Sequence, residues 1–137
     1  MLISTKGRYA LRMMIDIAEN EKAEKFVSLK KVAERQDISM KYLENIVKDL
    51  VKANLVEGTR GKGGGYRLTH KTDKIKITSI LLATEGTLAP VACLESKRNH
   101  CKRSCDCKAL SLWSSLYENL TEFFSGVTLK DVLEENK

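Results

Sequence analysis

Apolar residues recur at helical spacing along most of this chain, interrupted by one short region where they alternate as in a strand. Leu11, Met14, Ile15 and Ala18 follow i, i+3, i+4, i+7 and predict a helix from Ser4 to Asn20 with that face buried. Ser4 or Thr5 can cap its start. The polar run Glu19–Lys25 predicts a loop, and Phe26-Val27 a short strand. Ser28 then caps a second helix, striped by Leu29, Val32 and Ala33 and ending near Gln36-Asp37. Ser39 caps a third, in which Leu43, Ile46, Val47 and Leu50 repeat before it fades at Ala53-Asn54. Leu55-Val56-Glu57 and Tyr66-Arg67-Leu68-Thr69 predict two strands around the glycine-rich run Gly58–Gly65. Ile75 and Ile77 suggest a short strand or extended lead-in. Thr78 or Ser79 can cap a helix that runs through Leu81, Leu82 and Ala83 to Glu85 and stops at Gly86. A long helix over Cys107–Ser125 carries Leu110, Trp113, Leu116, Tyr117, Leu120, Phe123 and Phe124. Gly126 ends it, and Thr128 caps a last helix, Leu129–Glu135.

The fold class that follows is mainly α with a small β-hairpin, organised as a winged helix-turn-helix with a long C-terminal helix. The second and third helices, joined by a turn of about four residues, form the helix-turn-helix pattern. The N-terminal turns of the second member of such a pair enter the major groove. Ser39, Met40, Lys41, Tyr42, Glu44, Asn45 and Lys48 are the candidate contacts there. Lys41 and Lys48 suit phosphate or guanine, Asn45 can pair with adenine, and Glu44 can accept from cytosine. The hairpin tip sets Arg60 and Lys62 between glycines, which suits a wing that tracks the backbone of the duplex. A nucleotide-binding phosphate loop is excluded, because the glycine run lacks the Lys-Ser/Thr ending and opens into a strand.

Charge sharpens this picture. Residues 1–76 hold 17 Lys+Arg against 10 Asp+Glu, a net of +7, whereas residues 77–137 hold 7 against 8, a net of −1. A basic half joined to a near-neutral half fits a polyanion-binding module attached to another element. Lys6, Arg8 and Arg12 crowd the first turns of the first helix, where the dipole favours anions and a phosphate backbone would compensate. The wide apolar stripe of the long helix exceeds what so small a domain can cover, so a homodimer is expected, presenting two reading helices to a two-fold operator. There is neither a signal peptide nor a membrane-length apolar run, which places the chain in the cytoplasm.

All four cysteines fall within fifteen residues, Cys93, Cys101, Cys105 and Cys107. Thiolates gathered so closely bind a soft metal or exchange electrons with one another. No Cys-x-x-Cys pair is present, which weakens zinc-knuckle and thioredoxin-like readings, whereas iron–sulfur clusters tolerate irregular spacing. Lys97, Arg98, Lys102, Arg103 and Lys108 interleave with them and would favour thiolate. His100 is a further candidate ligand. Two histidines in loop settings, His70 and His100, and no recognisable carboxylate pair argue against an enzyme and a small-molecule substrate.

Four stretches carry a resemblance to a known family. They are Ser4 to Ala10 (STKGRYA), Ser39 to Glu44 (SMKYLE), Arg60 to Tyr66 (RGKGGGY), and the cysteines followed by Trp113. With these the chain resembles the Rrf2 family of bacterial winged-helix regulators, most closely its iron–sulfur, IscR-like branch. The resemblance implies a homodimeric DNA-binding regulator, repressor or activator, whose long C-terminal helix is the dimerisation helix. It implies three domains or segments: 1–86 for DNA binding, 87–108 for the cysteine-rich loop, and 107–137 for dimerisation and the last helix. It also implies a cluster, usually 2Fe–2S and sometimes 4Fe–4S, on Cys93, Cys101 and Cys107. Leu110 stands where IscR-like members place a ligating histidine, and Arg8 stands where the nitric-oxide-sensing branch draws on an aspartate. The fourth ligand is therefore open, with Cys105 the first choice and His100 the second. A thiol switch or zinc on the same cysteines stays an alternative. An electron-transfer protein is a weaker one, since it leaves the basic half and the wing unexplained.

Overall fold

The computed structural model describes residues 3–135. Six α-helices and one hairpin follow in the order α1 (Thr5–Asn20), α2 (Leu29–Gln36), α3 (Met40–Lys52), β1 (Val56–Thr59), β2 (Gly65–Leu68), α4 (Ile77–Glu85), α5 (Leu110–Ser125) and α6 (Leu129–Glu135). Short 3₁₀ turns lie at Thr72–Lys74 and Ala92–Leu94. The mainly helical, winged architecture expected from the pattern is the one observed. Among the described residues no helix is long and apolar enough to cross a membrane.

Helix α1 is the centre of the packing: α2, α3, α4, α6 and β2 all contact it. Its fully buried residues are Ala10, Met13, Met14 and Ile17. The expected stripe is thus displaced, with Met14 shared, and Leu11, Ile15 and Ala18 are half-buried at its margin. A helix surrounded by partners carries two overlapping apolar stripes, and periodicity alone does not rank them. The α3 stripe is as expected, with Leu43, Ile46, Val47 and Leu50 buried. Each such side chain contributes roughly 1.5–3 kcal/mol by leaving water.

One ionic group sits inside this packing. The Asp16 carboxylate of α1 is 2% exposed. Arg35 of α2 donates to it from Nη2 at 2.7 Å and from Nε at 3.0 Å, and Gln36 donates from Nε2 at 3.0 Å. Asn20 adds a longer contact at 3.4 Å. The fork of two parallel N–H bonds fixes the rotation of α2 about α1. Hydrogen bonding to Asp16 holds the Arg35 guanidinium above its already high ordinary pKa. Arg12 reaches the same region, donating to the Gln36 side chain at 3.1 Å and to its carbonyl.

The turn between α2 and α3 is Asp37-Ile38-Ser39. Asp37 takes a left-handed conformation (φ 53°), which a short polar residue tolerates and which reverses the chain quickly. Ile38 is buried and anchors the turn. The hairpin pairs Val56 with Leu68, Glu57 with Arg67, Gly58 with Tyr66 and Thr59 with Gly65. Arg67 bonds Glu57 at 2.6 Å across the strands, and its guanidinium carbon stands 4.7 Å from the Phe26 ring centroid. The expected Phe26-Val27 strand reduces to one residue: Val27 exchanges two 2.8 Å backbone bonds with Tyr66, docking β2 onto the domain. This docking needs Gly65, where a Cβ would overlap the Val27 carbonyl.

The second half departs further from expectation. Helix α4 begins at Ile77 with no side-chain cap; Thr78, expected as a cap, instead meets the Ser125 hydroxyl at 3.0 Å. The expected strand at Ile75–Ile77 is a single bridge, in which Lys76 pairs with Thr128. Thr128 does cap α6: it accepts from the Asp131 N–H at 3.2 Å, and Asp131 accepts the Thr128 N–H at 2.9 Å. Hydrogen bonding of the carboxylate to Thr128, by the backbone N–H first and then the side chain, holds the Asp131 carboxyl below the ordinary aspartate range. Leu129 is fully buried, so α6 returns to close the core. Helix α5 starts at Leu110, three residues later than expected, and none of its residues is fully buried.

Two outcomes follow. Arg35→Ala should lower stability by about 2 kcal/mol, less than a fully enclosed pair would lose because the guanidinium stays about a third exposed. A denaturant midpoint within error of the parent would show that the fork contributes nothing. Gly65→Ala should release the wing, raising hydrogen exchange at the Val27 and Tyr66 amides while the α3 amides stay protected. Unchanged protection at those two amides would contradict the close approach.

Candidate nucleic-acid interface and cysteine segment

The buried stripe of α3 turns its other side outward. Ser39 caps the helix, its Oγ accepting the Tyr42 N–H at 3.2 Å. Met40, Lys41, Glu44, Asn45 and Lys48 are all exposed on this outward side. Tyr42 is half-buried and stacks edge-on against Tyr9 of α1, centroids 5.5 Å apart, while Arg12 lies 5.1 Å from the Tyr9 ring centroid. This brace fixes the start of the exposed face against α1. Lys6, in the first turn of α1, reaches across and pairs with Asp49 of α3, Nζ to Oδ2 at 2.5 Å. Lys6, Tyr42, Asn45, Lys48 and Asp49 line one shallow cleft. Lys6 therefore joins the α3 residues selected from sequence, although more than thirty positions separate them. Tyr9 and Asp49 were not anticipated, and Arg12, expected beside a phosphate backbone, has Gln36 and the Tyr9 ring as its partners. Nothing local marks Tyr9 and Asp49, because their role depends on the crossing of α1 and α3.

At the wing, Arg60 and Lys62 are exposed at the tip. Gly61 (φ 93°) and Gly63 (φ 78°) take positive φ, and the Gly64 N–H bonds the Gly61 carbonyl at 3.0 Å. A Cβ at Gly64 would stand 2.6 Å from the Thr59 carbonyl oxygen. The glycines thus allow a tip narrow enough to approach a groove with both cations forward. Lys25, Ser28 and Lys31 share a second cleft with the wing glycines. Lys31 is paired with Glu24 there. No local pattern marks this cleft, since it forms only where the wing folds back beside α2.

The cysteines lie on turns between α4 and α5. Leu88 and Ala89 are buried and tether the start of the segment. Cys93 is half-buried in the 3₁₀ turn, whereas Cys101, Cys105 and Cys107 are exposed, and all four are free thiols. Short-range bonds shape the rest. Asn99 Oδ1 accepts the Cys101 N–H at 2.9 Å, and Cys107 O accepts the Leu110 N–H at 3.3 Å, joining the segment directly to α5. His100, Lys97, Arg98, Lys102, Arg103 and Lys108 are all exposed beside them. The donor set suits a thiolate-bound metal centre in its chemistry, being soft, close in sequence and set among cations. Among the described residues, however, no three His, Cys, Asp or Glu side chains are gathered as a metal-binding group.

Helix α5 presents an uncovered apolar side: Leu112 is 60% exposed and Phe123 64%, with Leu116 at 38% between them. Tyr117 and Phe124 lean on the core from the other side.

Comparison with known proteins agrees with this geometry. The profile of the Rrf2 family, described as iron-dependent transcriptional regulator, matches residues 3–135. The chain is 35% identical over 135 residues to protein rrf2 of Nitratidesulfovibrio vulgaris, covering 98% of this chain and 89% of that protein. It is 34% identical over its full 137 residues to the HTH-type transcriptional regulator IscR of Vibrio vulnificus, covering 80% of that protein. Among solved structures it is similar to CymR, the global cysteine regulator of B. subtilis (TM-score 0.81, 33% identity, 100% of this chain and 99% of that one). It is also similar to T. potens IscR (TM-score 0.78, 31% identity, 100% and 89%). These relatives are regulators of transcription and not enzymes. The chain belongs to the Rrf2 family of DNA-binding transcriptional regulators.

Proposed function

We propose that this regulator binds its operator as a homodimer and that the state of the Cys93–Cys107 segment controls that binding through an iron–sulfur cluster. The observation that carries the reading is the position of the four thiols. They sit in one exposed segment between a winged reader and a helix with an uncovered apolar side. In this reading residues 1–86 form the DNA-binding unit, 87–108 the sensing loop, and 107–137 the dimerisation region. Cys93, Cys101 and Cys107 hold the cluster, 2Fe–2S in type, with Cys105 as fourth ligand ahead of His100. Likeness to IscR supports this assignment. When bound, the cluster supplies a thiolate-held centre sensitive to redox state, iron supply or nitric oxide. The interleaved cations offset the negative charge of a thiolate-bound centre.

On the DNA side, Met40, Lys41, Glu44, Asn45 and Lys48 face the major groove. Ser39, Tyr42 and Lys6 hold the phosphates at its edge, and Arg60 and Lys62 of the wing follow the neighbouring backbone. Leu112, Leu116 and Phe123 pack against their copies in the dimer. Because the Cys107 carbonyl holds the N–H of Leu110, the first residue of α5, a rearranged segment shifts α5. The spacing of two α3 helices then no longer matches one helical turn of the operator. Such a regulator works on the bacterial chromosome, in the cytoplasm.

Likeness to CymR, a global cysteine regulator, favours a second reading: the same free thiols act as an oxidisable switch without metal. Anaerobic purification separates the two. The cluster reading expects iron, acid-labile sulfide and visible absorption, all lost in Cys93→Ala, Cys101→Ala and Cys107→Ala. Cys105→Ala and His100→Ala then identify the fourth ligand. Protein free of iron and sulfide, with Cys→Ala variants that bind DNA as the parent does, ends that reading; disulfides found by mass spectrometry would establish the second.

For the wing, Arg60→Ala should weaken operator binding. Lys62→Ala should lower the slope of log affinity against log salt by about 0.9, the loss of one phosphate contact. An unchanged slope would remove Lys62 from the interface.

A further inference from the structure

The start of α1 is capped from outside. Ser4 is the N-cap, and its Oγ accepts the N–H of Gly7, the third helical residue, at 3.1 Å. In a capping box the third residue is Glu or Gln and bonds back to the N-cap N–H. Here that residue is Gly7, and a carboxylate from 81 positions away takes the role. Glu85 Oε1 accepts the Ser4 N–H at 2.9 Å and the Ser4 hydroxyl at 2.5 Å. Gly7 makes the room: a Cβ there would overlap Glu85 Oε1. The first turn of α1 has no acidic residue of its own and carries Lys6 and Arg8. Glu85 therefore supplies the anion that the helix dipole favours at this end.

Glu85 is the last residue of α4. Gly86 reverses the chain with φ 79°, and the buried Leu88 and Ala89 lead into the cysteine segment. On the other side, Lys6 of the same α1 turn pairs with Asp49 of α3. A continuous set of contacts thus joins the cysteine segment to the reading helix within one subunit.

We propose that Glu85 is a positioning residue that couples the state of the cysteine segment to the DNA-binding face, by holding or releasing the first turn of α1. This rests on the reading that the segment controls operator binding. It adds a route inside each subunit, separate from the spacing of two subunits by α5. When the segment rearranges, Gly86 moves and Glu85 leaves Ser4. The first turn of α1 then loosens, and Lys6 loses its fixed place beside Asn45 and Lys48.

The test compares the parent with Glu85→Ala and Gly7→Ala. The two substitutions break one contact from opposite sides. Gly7→Ala displaces the flexible end of Glu85, presses against the Ile3 methyl by a few tenths of an ångström, and introduces a better helix former, so it keeps the fold. Each protein is prepared anaerobically, either reconstituted with iron and sulfide or stripped by chelator. Affinity is measured for a duplex that the parent enriches from a random pool, and hydrogen exchange is followed at the Ser4–Arg8 amides. The parent should show an affinity ratio between the two states of about tenfold, within the usual range of allosteric coupling, and slower exchange of the Gly7 amide in one state. In both variants the ratio should fall to about twofold or less and Gly7 exchange should be fast in both states. Variants that keep the parent's ratio and its difference in Gly7 exchange overturn the role of Glu85 while leaving segment control intact. A parent with no difference between the states overturns segment control and the coupling together.

Discussion

The burial of α1 is the constraint on which the rest of this molecule depends. Five other elements lean on it, and each functional part is positioned by what it shares with α1. The reading helix is braced through Tyr9 and Tyr42, and α2 is oriented by Arg35 on the buried Asp16. The end of α4 is tied through Glu85 to Ser4. An apolar core alone would leave α2 and α3 free to slide along a smooth surface. The fork on the buried Asp16 removes that freedom for α2, because a carboxylate that loses its donors in a dry setting loses more than a displaced methyl group would, and the Tyr9–Tyr42 and Lys6–Asp49 contacts place α3.

The wing shows the same economy with backbone. One residue of an otherwise irregular loop, Val27, forms a bridge to Tyr66, and that single pairing keeps a two-stranded hairpin attached. Isolated two-stranded hairpins are marginal in water. Gly65 permits the approach, and the glycines at the tip permit its sharp turn. Glycine therefore has two roles within five residues, one at the docking point and one at the turn of the tip.

The second half is held more loosely. No residue of α5 is fully buried, and the cysteine segment is kept by turn bonds between near neighbours. Elements with few buried contacts open at low cost. Leu88 and Ala89 on one side and the Thr78–Ser125 contact on the other mark where this region joins the packed domain.

Much of this was legible in the sequence. Ser4, Ser39 and Thr128 announce helix starts through chemistry completed within three residues, the stripe of α3 is a local period, and the glycines of the wing mark a turn. The four thiols and the basic first half are visible as clustering and charge. Other features required the folded chain. The buried stripe of α1, the Lys76–Thr128 clip, the Arg35 fork on Asp16, and Asp49 beside Lys6 depend on residues 19 to 52 positions apart or more meeting in space. Glu85 is the plainest case. Sequence shows a serine three residues before a glycine, where a capping carboxylate belongs, and only the crossing of α4 over α1 supplies it. Local hydrogen bonding and periodicity act over one or two turns and are written into neighbouring residues. The pairing of distant charges is decided by how whole helices pack, and no short window of sequence contains that information.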